Sequence, residues 1–362
     1  MAVNRLFLCS CAIPFLVLSS FACNIPVFRF ALEFWETDPY EAIIFYSDSL
    51  DSNLSAFIRR FDARRRDSLS ANVVIFPVDT ADSKEEWVEA IYRKAAIPQL
   101  PWMILRYPKS ARIGLHVWEG PADISAIRRL IDSPLRKEIT ERLSAGENGV
   151  FLLVESGDET QDKRAGSLID KELKALQKKL KLPETIEDPH FEVDTSLGPP
   201  IRVAFSSLRC SRDNPAEDLL VSMLLKSSPG VAEAKEPVLF ILYGRGRVLP
   251  PLAGNAISAE TLGRMCSFLI GECACTAKAE NPGIDILFRA DWEEIRSRQR
   301  PVTTSDQPLP PLHGLTSFFQ SLDEPGGKSG DGAFPRIVWI LAIAAILVVA
   351  GGTVVLLLKK RR

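Results

Sequence analysis

The sequence is poor in the residues that most often carry enzyme chemistry. Histidine occurs three times in 362 residues, at His116, His190 and His313. These histidines lie in separate segments, so the sequence supports neither a histidine-based metal site nor a Ser-His-Asp triad. Pairs of Asp and Glu are frequent on predicted helices, but their context does not distinguish them from solvated surface. We therefore expect no catalytic residue, no metal ligand and no cofactor.

Cysteine is also sparse, and no Cys-x-x-Cys motif occurs anywhere in the chain. Cys9 and Cys11 lie in the apolar segment at the amino terminus, and no cysteine occurs between Asn24 and Arg209. The pattern excludes a small disulfide scaffold. The remaining cysteines are Cys23, Cys210, Cys266, Cys273 and Cys275.

Neither an excess of charge nor a nucleotide-binding loop is present. The formal net charge is −2, so neither nucleic acid nor an acidic surface is indicated as a partner. The basic clusters, such as Arg64-Arg65-Arg66, are interleaved with acids on helical segments and predict solvated helix faces. Gly244-Arg245-Gly246 has Leu249 where a dinucleotide loop needs its third glycine, and a tight hairpin explains it better.

Residues 1–22 have the layout of a secretory signal peptide. Arg5 precedes an apolar run from Leu6 to Leu18, and a small-residue pattern ends at Ala22. Cleavage after Ala22 would leave Cys23 at the amino terminus, which resembles the acceptor cysteine of bacterial lipoproteins. Ser20 departs from that signal, which prefers Leu at this position. Ordinary cleavage and lipidation of Cys23 both remain open.

The carboxyl terminus has the pattern of a membrane anchor. Ile337 to Leu358 contains no charged residue and would span about 33 Å as a helix, enough for a hydrocarbon core of about 30 Å. The basic tail at 359–362 follows at once, so we predict a single-pass protein of the cell membrane, with a transmembrane helix at 336–358 and a cytoplasmic tail. The ending also matches a dilysine retrieval signal, but no spacer separates it from the membrane.

Residues 301–335 differ in composition from the rest of the chain. They are rich in Pro, Gly, Ser and Asp, and such a segment cannot bury enough apolar surface to offset its ordering entropy. We predict a stalk between the folded part and the anchor. One patch within it, Leu315 to Phe319, is more apolar than a linker requires.

Between Asn24 and Trp292 strand and helix patterns alternate, which predicts sheets with helices packed on them. Predicted strands are Glu41 to Ser47, Asn72 to Val78, Trp102 to Leu105, Ile113 to Trp118, Val150 to Glu155, Ile201 to Ser206, Val238 to Tyr243 and Arg247 to Leu252. Predicted helices are Asn53 to Arg64, Glu85 to Lys94 with Trp87, Val88 and Ile91 buried, Ile124 to Ile131, Lys163 to Lys181, one capped by Asn214 with Glu217 in the reciprocal capping position, and one capped by Ser258.

The order of these elements repeats. In each half a proline, Pro101 or Pro237, opens an apolar strand that is followed by a turn, a second strand, a glycine and a helix. A strand, a helix, a second strand and a second helix precede this unit in both halves. The repeat predicts two domains, at 23–146 and 147–300, each a small mixed sheet with helices on both faces.

These residues resemble a known fold. Glu236 to Tyr243, the glycine turn and the closing helix are similar to the carboxyl-terminal half of thioredoxin, and the segment from Leu100 to Ile131 is similar in the same way. The resemblance covers roughly 250 residues in two copies, and it implies a cis peptide bond before Pro101 and Pro237. Cys23 to Phe28 also looks like the start of a group of bacterial envelope proteins to which no activity is attached.

The chain departs from the thioredoxin family where that family carries its chemistry. Thioredoxin-like oxidoreductases place Cys-x-x-Cys where the first strand meets the first helix. The matching junctions here, Tyr46 to Ser52 and Ser156 to Thr160, contain no cysteine. The resemblance therefore implies redox-inactive domains. It also implies that Leu100 and Glu236, which precede the two prolines, pair their backbone with an extended peptide, unless the other domain closes the groove.

Cys273 and Cys275 form the remaining candidate site for chemistry. As a thiol pair they could exchange disulfides or bind a soft metal. Alternatively they lie at the end of the last helix, and one or both are bridged elsewhere. Lipidation of Cys23 would leave Cys210, Cys266, Cys273 and Cys275, enough for two bridges.

Two hypotheses follow. In the first, the protein is a non-catalytic interaction or scaffolding module, held outside the cytoplasm, that recruits another envelope or membrane protein. In the second, it handles thiols, disulfides or a soft metal with Cys273 and Cys275.

Overall fold

The computed structural model describes residues 23–61, 69–82, 86–183, 201–228, 230–273, 278 and 283–299. The predicted signal peptide, with Ala22, and the predicted stalk, anchor and tail lie outside these residues. Within the described part of the chain, no helix has both the length and the apolar character needed to span a membrane.

The described residues form an α/β structure with two mixed sheets and a separate two-stranded ladder. The strands are β1 Cys23–Pro26, β2 Tyr40–Tyr46, β3 Val73–Asp79, β4 Trp102–Arg106, β5 His116–Pro121, β6 Gly149–Val154, β7 Phe205–Cys210, β8 Val238–Tyr243, β9 Arg247–Val248, β10 Leu252–Ala253 and β11 Glu272–Cys273. The helices are α1 Val27–Phe34, α2 Ser52–Ile58, α3 Glu86–Ala95, α4 Ile124–Ile131, α5 Pro134–Ser144, α6 Glu159–Lys179, α7 Asp218–Lys226, α8 Ala259–Ile270 and α9 Trp292–Gln299.

The two sheets repeat one strand order. In the first sheet the order is β3-β2-β4-β5, with β2 and β3 parallel and the other neighbours antiparallel. In the second sheet the order is β7-β6-β8-β10, again with one parallel pair, β6 and β7, and β9 also pairs with β8. The sequence repeat therefore corresponds to a repeat of sheet topology.

One hydrophobic core joins the facing sides of both sheets. Ile44 of β2 and Leu152 of β6 belong to the same buried cluster. Buried hydroxyls add polar links between the halves: the Tyr107 hydroxyl donates to the Met223 carbonyl at 2.6 Å, and the Tyr40 hydroxyl donates to the Asp285 carbonyl at 2.9 Å. Burial raises the pKa of both tyrosines, so both hydroxyls stay protonated and remain donors at neutral pH.

Helices cover the outer faces of the two sheets. Helix α3 packs Val88 against Phe45 and Ile104 of the first sheet. On the second sheet, Ile169 of α6 and Leu262 of α8 pack in a cluster with its buried strand residues. The arrangement places helices on both faces, as the alternating pattern predicts.

Several predicted elements are confirmed. Strand β8 and helix α4 have the predicted bounds. Ser258 caps α8 through a capping box with Thr261, whose backbone N–H it accepts at 3.2 Å. Gly244 and Gly246 lie in a tight hairpin with positive φ of 57° and 87°, the backbone region in which glycine avoids a Cβ clash.

Three predicted strands are wrong in their extent. Strand β5 runs from His116 to Pro121 instead of Ile113 to Trp118. Strand β7 runs from Phe205 to Cys210 instead of Ile201 to Ser206. The predicted strand Arg247 to Leu252 is divided into β9 and β10, because Pro250 and Pro251 between them have no N–H to give to a ladder.

The predicted role of Glu217 is also wrong. Helix α7 begins at Asp218, so Asn214 does not cap it, and the Glu217 side chain makes no capping bond to it. Its buried carboxylate instead accepts hydrogen bonds from the Ser133 hydroxyl at 2.5 Å and from the Leu135 backbone N–H at 2.7 Å, at the start of α5. A residue of the second half therefore caps a helix of the first.

Trp87 was predicted to be buried, and that prediction is wrong. Trp87 is 44% exposed, whereas Val88 is buried. The apolar stripe of α3 follows Val88, Ile91 and Tyr92. Trp87 lies about 100° around the helix from Val88, outside this stripe.

Strand β3 is the edge of the first sheet, and a proline blunts that edge. The Asn72 carbonyl accepts from the Tyr40 N–H at 2.8 Å, and the Thr80 N–H donates to the Tyr46 carbonyl at 2.9 Å. Both groups point to β2, so the odd-numbered residues between them turn their backbone outward. Pro77 stands at one of these outward positions, where its missing N–H costs no bond to β2.

Candidate functional site

The first candidate site lies at the carboxyl end of β2. Phe45 stands opposite Trp102 in the antiparallel pairing of β2 with β4, so Tyr46 and Pro101 are the next pair outward. The loop after Tyr46 is exposed through Ser47 and Asp48. The register thus brings the junction Tyr46 to Ser52 and the Leu100-Pro101 segment to the same end of the two central strands.

The peptide bond between Leu100 and Pro101 is cis, and it is the only cis bond among the described residues. Pro101 is exposed, and its carbonyl accepts from the Ala122 N–H at 3.0 Å. The Leu100 side chain packs beside the cluster under α3. Within the described part of the chain, the Leu100 N–H and C=O hydrogen-bond to no other group.

The equivalent position in the second half is built differently. Val154 stands opposite Val238, and the Pro237 carbonyl accepts from the Gly254 N–H at 3.0 Å, which matches the bond made by Pro101. The bond before Pro237 is nevertheless trans, so the cis prediction is wrong there. The trans form is the ordinary preference, by about 0.5–1 kcal/mol. Here the Glu236 carbonyl also has a fixed partner, the Arg212 guanidinium at 3.1 Å.

The proline that follows also differs between the two positions. Pro237 is buried, whereas Pro101 is exposed. The Glu236 side chain lies against Gly254, where a Cβ would stand 3.1 Å from the Glu236 Cγ. Of the two predicted peptide-binding positions, only Leu100 presents both an unpaired carbonyl and an exposed neighbouring proline.

At both strand-to-helix junctions an Asp carboxylate accepts the backbone N–H groups that begin the helix. Asp51 caps α2 by accepting from the Asn53 N–H at 2.9 Å and the Leu54 N–H at 3.0 Å. Asp158 caps α6 in the same way, and the backbone bond from Gln161 is the largest cause of its lowered pKa. The N–H groups that stabilise an attacking thiolate in the thioredoxin family are therefore already occupied.

The second junction is also held inward by a buried carboxylate. Asp162 accepts from the Ser156 N–H at 2.7 Å, the Ser156 hydroxyl at 2.9 Å and the Gly157 N–H at 3.0 Å. These bonds satisfy the loop internally. The first junction, by contrast, leaves Ser47 and Asp48 at the surface, bonded to each other at 3.1 Å.

The two candidate thiols whose side chains the structure describes lie in different core clusters. Cys210 in β7 and Cys266 in α8 are both free and buried, and burial raises the pKa of each to about 12. Both are protonated at neutral pH, which makes them poor nucleophiles and poor metal ligands. Helix α8 ends at Ile270 and Cys273 lies in β11, so helical geometry does not separate Cys273 from Cys275. Cys275 lies outside the described residues.

Among the described residues, no group of three or more His, Cys, Asp and Glu side chains could hold a metal ion.

A polar cleft of about 720 Å³ between the two halves is a second concave site. At its wall Arg247 lies 3.4 Å from the Asp285 carboxylate and 3.5 Å from that of Asp38, and Lys278 lies 3.4 Å from Asp38. Burial raises the pKa of Asp285, and the nearby Arg247 opposes that shift. The charges are mutually compensated, as in a structural ion-pair network that links the halves.

Sequence reasoning missed the group that distinguishes the two proline positions. Arg212 lies 24 residues before Glu236 and reaches its carbonyl only through the fold. No local pattern signals this contact. The clusters of arginine earlier in the chain gave no reason to single out Arg212.

No protein-family model matches the chain, and no curated protein is significantly similar to it in sequence.

Proposed function

We propose that the protein is a non-catalytic interaction module, anchored in the cell membrane with its folded part outside the cytoplasm. Its two halves are thioredoxin-like domains without the family's dithiol. The first domain binds an extended segment of another envelope protein at the Leu100-Pro101 segment. The second domain supports the first through the shared core.

The fold supports the thioredoxin-like assignment in both halves. Each sheet has a parallel pair at one side and antiparallel strands at the other, in the same order along the chain. In both halves a proline carbonyl, of Pro101 or Pro237, accepts a backbone N–H from the segment that leads to the closing helix. These shared features support the assignment.

One observation carries the binding role: the two copies of the proline position differ in access. At Leu100 the backbone is unpaired within the described residues and the next residue is exposed. At Glu236 the carbonyl is bonded to Arg212 and the next residue is buried. Strand addition requires unpaired N–H and C=O groups, and both backbone groups of Leu100 are unpaired within the described residues.

The surroundings of Leu100 favour an extended polypeptide over a small molecule. Exposed hydroxyl, carboxylate and amide groups lie at this end of the sheet, on Ser47, Asp48 and Gln99. Main-chain bonds to Leu100 would supply affinity, and these polar side chains would supply selectivity. A binding mode of this kind needs no nucleophile and no cofactor.

The thiol-handling alternative is weakened by the positions of two of its cysteines. Cys210 and Cys266 are buried, free and protonated at neutral pH, so they are unsuited to exchange or to soft-metal binding. Only Cys273 and Cys275 remain for that role.

The membrane placement can be tested separately from the binding role. Protease added to sealed, right-side-out cells should degrade the segment from Asn24 to Pro335 and spare a fragment that contains Ile337 to Leu358. Survival of the whole chain under conditions that digest a known surface protein would contradict the proposed orientation.

The binding role can be tested with a photo-reactive amino acid in intact cells. The label is placed at Gln99, which is exposed and next to Leu100, and in a matched variant at Lys235, which is exposed and next to Glu236. We expect irradiation to crosslink one reproducible envelope protein to the Gln99 label and none to the Lys235 label. Equal crosslinking from both labels, or none from either, would contradict the proposal.

A further inference from the structure

The register of the smallest ladder brings two cysteines together. Strand β1 pairs antiparallel with β11, and in this pairing Cys23 stands directly opposite Cys273. We propose that Cys23 and Cys273 form a disulfide that fixes the first residue of the exported chain to the strand after α8. The inference rests on the export part of the proposed function.

Backbone geometry permits the bond without rearrangement. Directly opposed residues in an antiparallel pair have Cα atoms about 4.5–5.5 Å apart. Disulfides join residues whose Cα atoms are about 4.4–6.8 Å apart. The first range lies within the second, so residues opposed in this way need no backbone movement to form the bond.

The other described cysteines do not compete for either partner. Cys210 and Cys266 are free, and both are buried in different clusters of the core. Of the cysteines at described positions, only Cys23 and Cys273 are opposed in a ladder. The simple scheme of two bridges among Cys210, Cys266, Cys273 and Cys275 therefore fails.

The ladder is short, so a covalent link would add much to its stability. Strand β1 has four residues and β11 has two, with an irregularity in register between the Cys23 and Pro26 pairs. Beyond them one bond, from the Val27 N–H to the Gly271 carbonyl at 3.0 Å, continues the contact. An isolated two-stranded ladder is marginally stable in water. A disulfide would keep it closed while the buried Ile25 and α1 stay packed.

The chemistry balances as a thiol–disulfide exchange. The Cys23 and Cys273 thiols together lose two protons and two electrons and form one S–S bond. The oxidant is the disulfide of an oxidoreductase outside the cytoplasm, which accepts the electrons and protons and leaves as two thiols. Lipidation would consume the Cys23 sulfur as a thioether, so the disulfide and the lipid exclude each other at this residue.

Peptide mapping of the full chain from its native membrane tests the proposal. The protein is alkylated without reduction and digested with trypsin. We expect a peptide that begins at Cys23 and ends at Arg29 to be linked to the peptide Met265 to Lys278, with the link lost on reduction. Cys273→Ser should abolish the linked species, whereas Cys275→Ser and Cys266→Ser should retain it.

Four outcomes would overturn the disulfide. One is a Cys23 peptide that carries the alkylating group, and another is a Cys23 peptide that carries a thioether lipid. A third is a link that is lost in Cys275→Ser and kept in Cys273→Ser. The fourth is a chain that retains residues 1–22 with alkylated thiols, and this outcome alone would also reject export. Failure of the Gln99 crosslink with an intact disulfide would instead reject only the binding role.

Discussion

The carboxylate of Glu217 accepts the backbone N–H of Leu135 at 2.7 Å and so caps a helix that lies 82 residues earlier in the chain. The same carboxylate accepts the hydroxyl of Ser133. Arg136 lies in the same first turn of this helix and is buried, with its guanidinium bonded to the carbonyls of Leu130 and Leu287. These bonds tie the two halves together in the interior.

Glu217→Gln should destabilise the whole folded part. The substitution keeps the shape but removes the charge that faces the buried Arg136, whose pKa is lowered to about 10 by burial and raised in opposition by Glu217. We expect the free energy of unfolding to fall by about 2 kcal/mol and Tm to fall by roughly 5 °C. Urea and thermal unfolding would measure both quantities.

Glu233→Gln is the matched control, because Glu233 is exposed. It should leave both quantities within about 0.5 kcal/mol and about 2 °C of the parent chain. Equal effects of the two substitutions would show that the Glu217 carboxylate is not needed to join the halves.

Gly246→Ala and Gly157→Ala separate backbone strain from steric clash. Both glycines have positive φ, 87° and 93°, so each alanine costs about 1 kcal/mol of strain. A Cβ on Gly246 would lie 1.9 Å from the buried Phe288 ring, whereas nothing lies within 4 Å of one on Gly157. We expect Gly246→Ala to cost at least about 3 kcal/mol and Gly157→Ala about 1 kcal/mol. A denaturation series in which the two variants coincide would contradict the packing of the hairpin on Phe288.

Stability should fall at alkaline pH because of the buried thiols. Burial raises the pKa of Cys266 from 9.0 to about 12. Between these values the unfolded chain has lost the thiol proton and the folded chain has kept it, so the free energy of unfolding decreases as pH rises. From about pH 8 to about pH 10 the contribution of Cys266 is about 1.4 kcal/mol.

Cys266→Ala is expected to flatten this pH dependence while it lowers stability by a constant amount. Cys210 contributes in the same direction and remains in the variant, so the slope should decrease without vanishing. Urea unfolding at several pH values measures the slope. A slope equal to that of the parent chain would contradict the protonated, buried state of Cys266.

The Leu100 amide should exchange with solvent much faster than the Ala122 amide. The Ala122 N–H is bonded to the Pro101 carbonyl, and the Leu100 N–H has no partner within the described residues. Residue-resolved hydrogen exchange on the free protein would compare them. Similar protection at both amides in the free protein would mean that the Leu100 N–H is already hydrogen-bonded. Addition of the crosslinked partner should slow Leu100 and leave Ala122 unchanged.

Elements whose signals are local could be predicted from the sequence. Val238 to Tyr243 is an apolar run between a proline and a glycine, and it forms β8 with those bounds. Helix α4 begins after Asp123, which caps it through the Ala126 N–H at 2.7 Å. In both cases the residues that start and end the element are its sequence neighbours.

Elements set by distant partners could not be predicted. The residues before β7 look strand-like, but the Asn148 side chain bonds the Ala204 N–H at 2.7 Å and the Arg202 carbonyl at 2.9 Å, so the ladder begins only at Phe205. The candidate site shows the same division. The proline positions were recognisable from sequence, whereas their difference in access depends on Arg212 and on tertiary burial.

The proline in strand β3 bears on how neighbouring copies behave. Chains anchored in a membrane as we propose would be concentrated in a plane, where bare sheet edges meet often and can template ribbons. Pro77 supplies a ring nitrogen in place of a donor at an outward position of that edge, so a copy that docks there loses its ladder partway along the strand. Strand β3 is therefore a poor template for strand pairing between crowded copies, which favours separate molecules at high surface density.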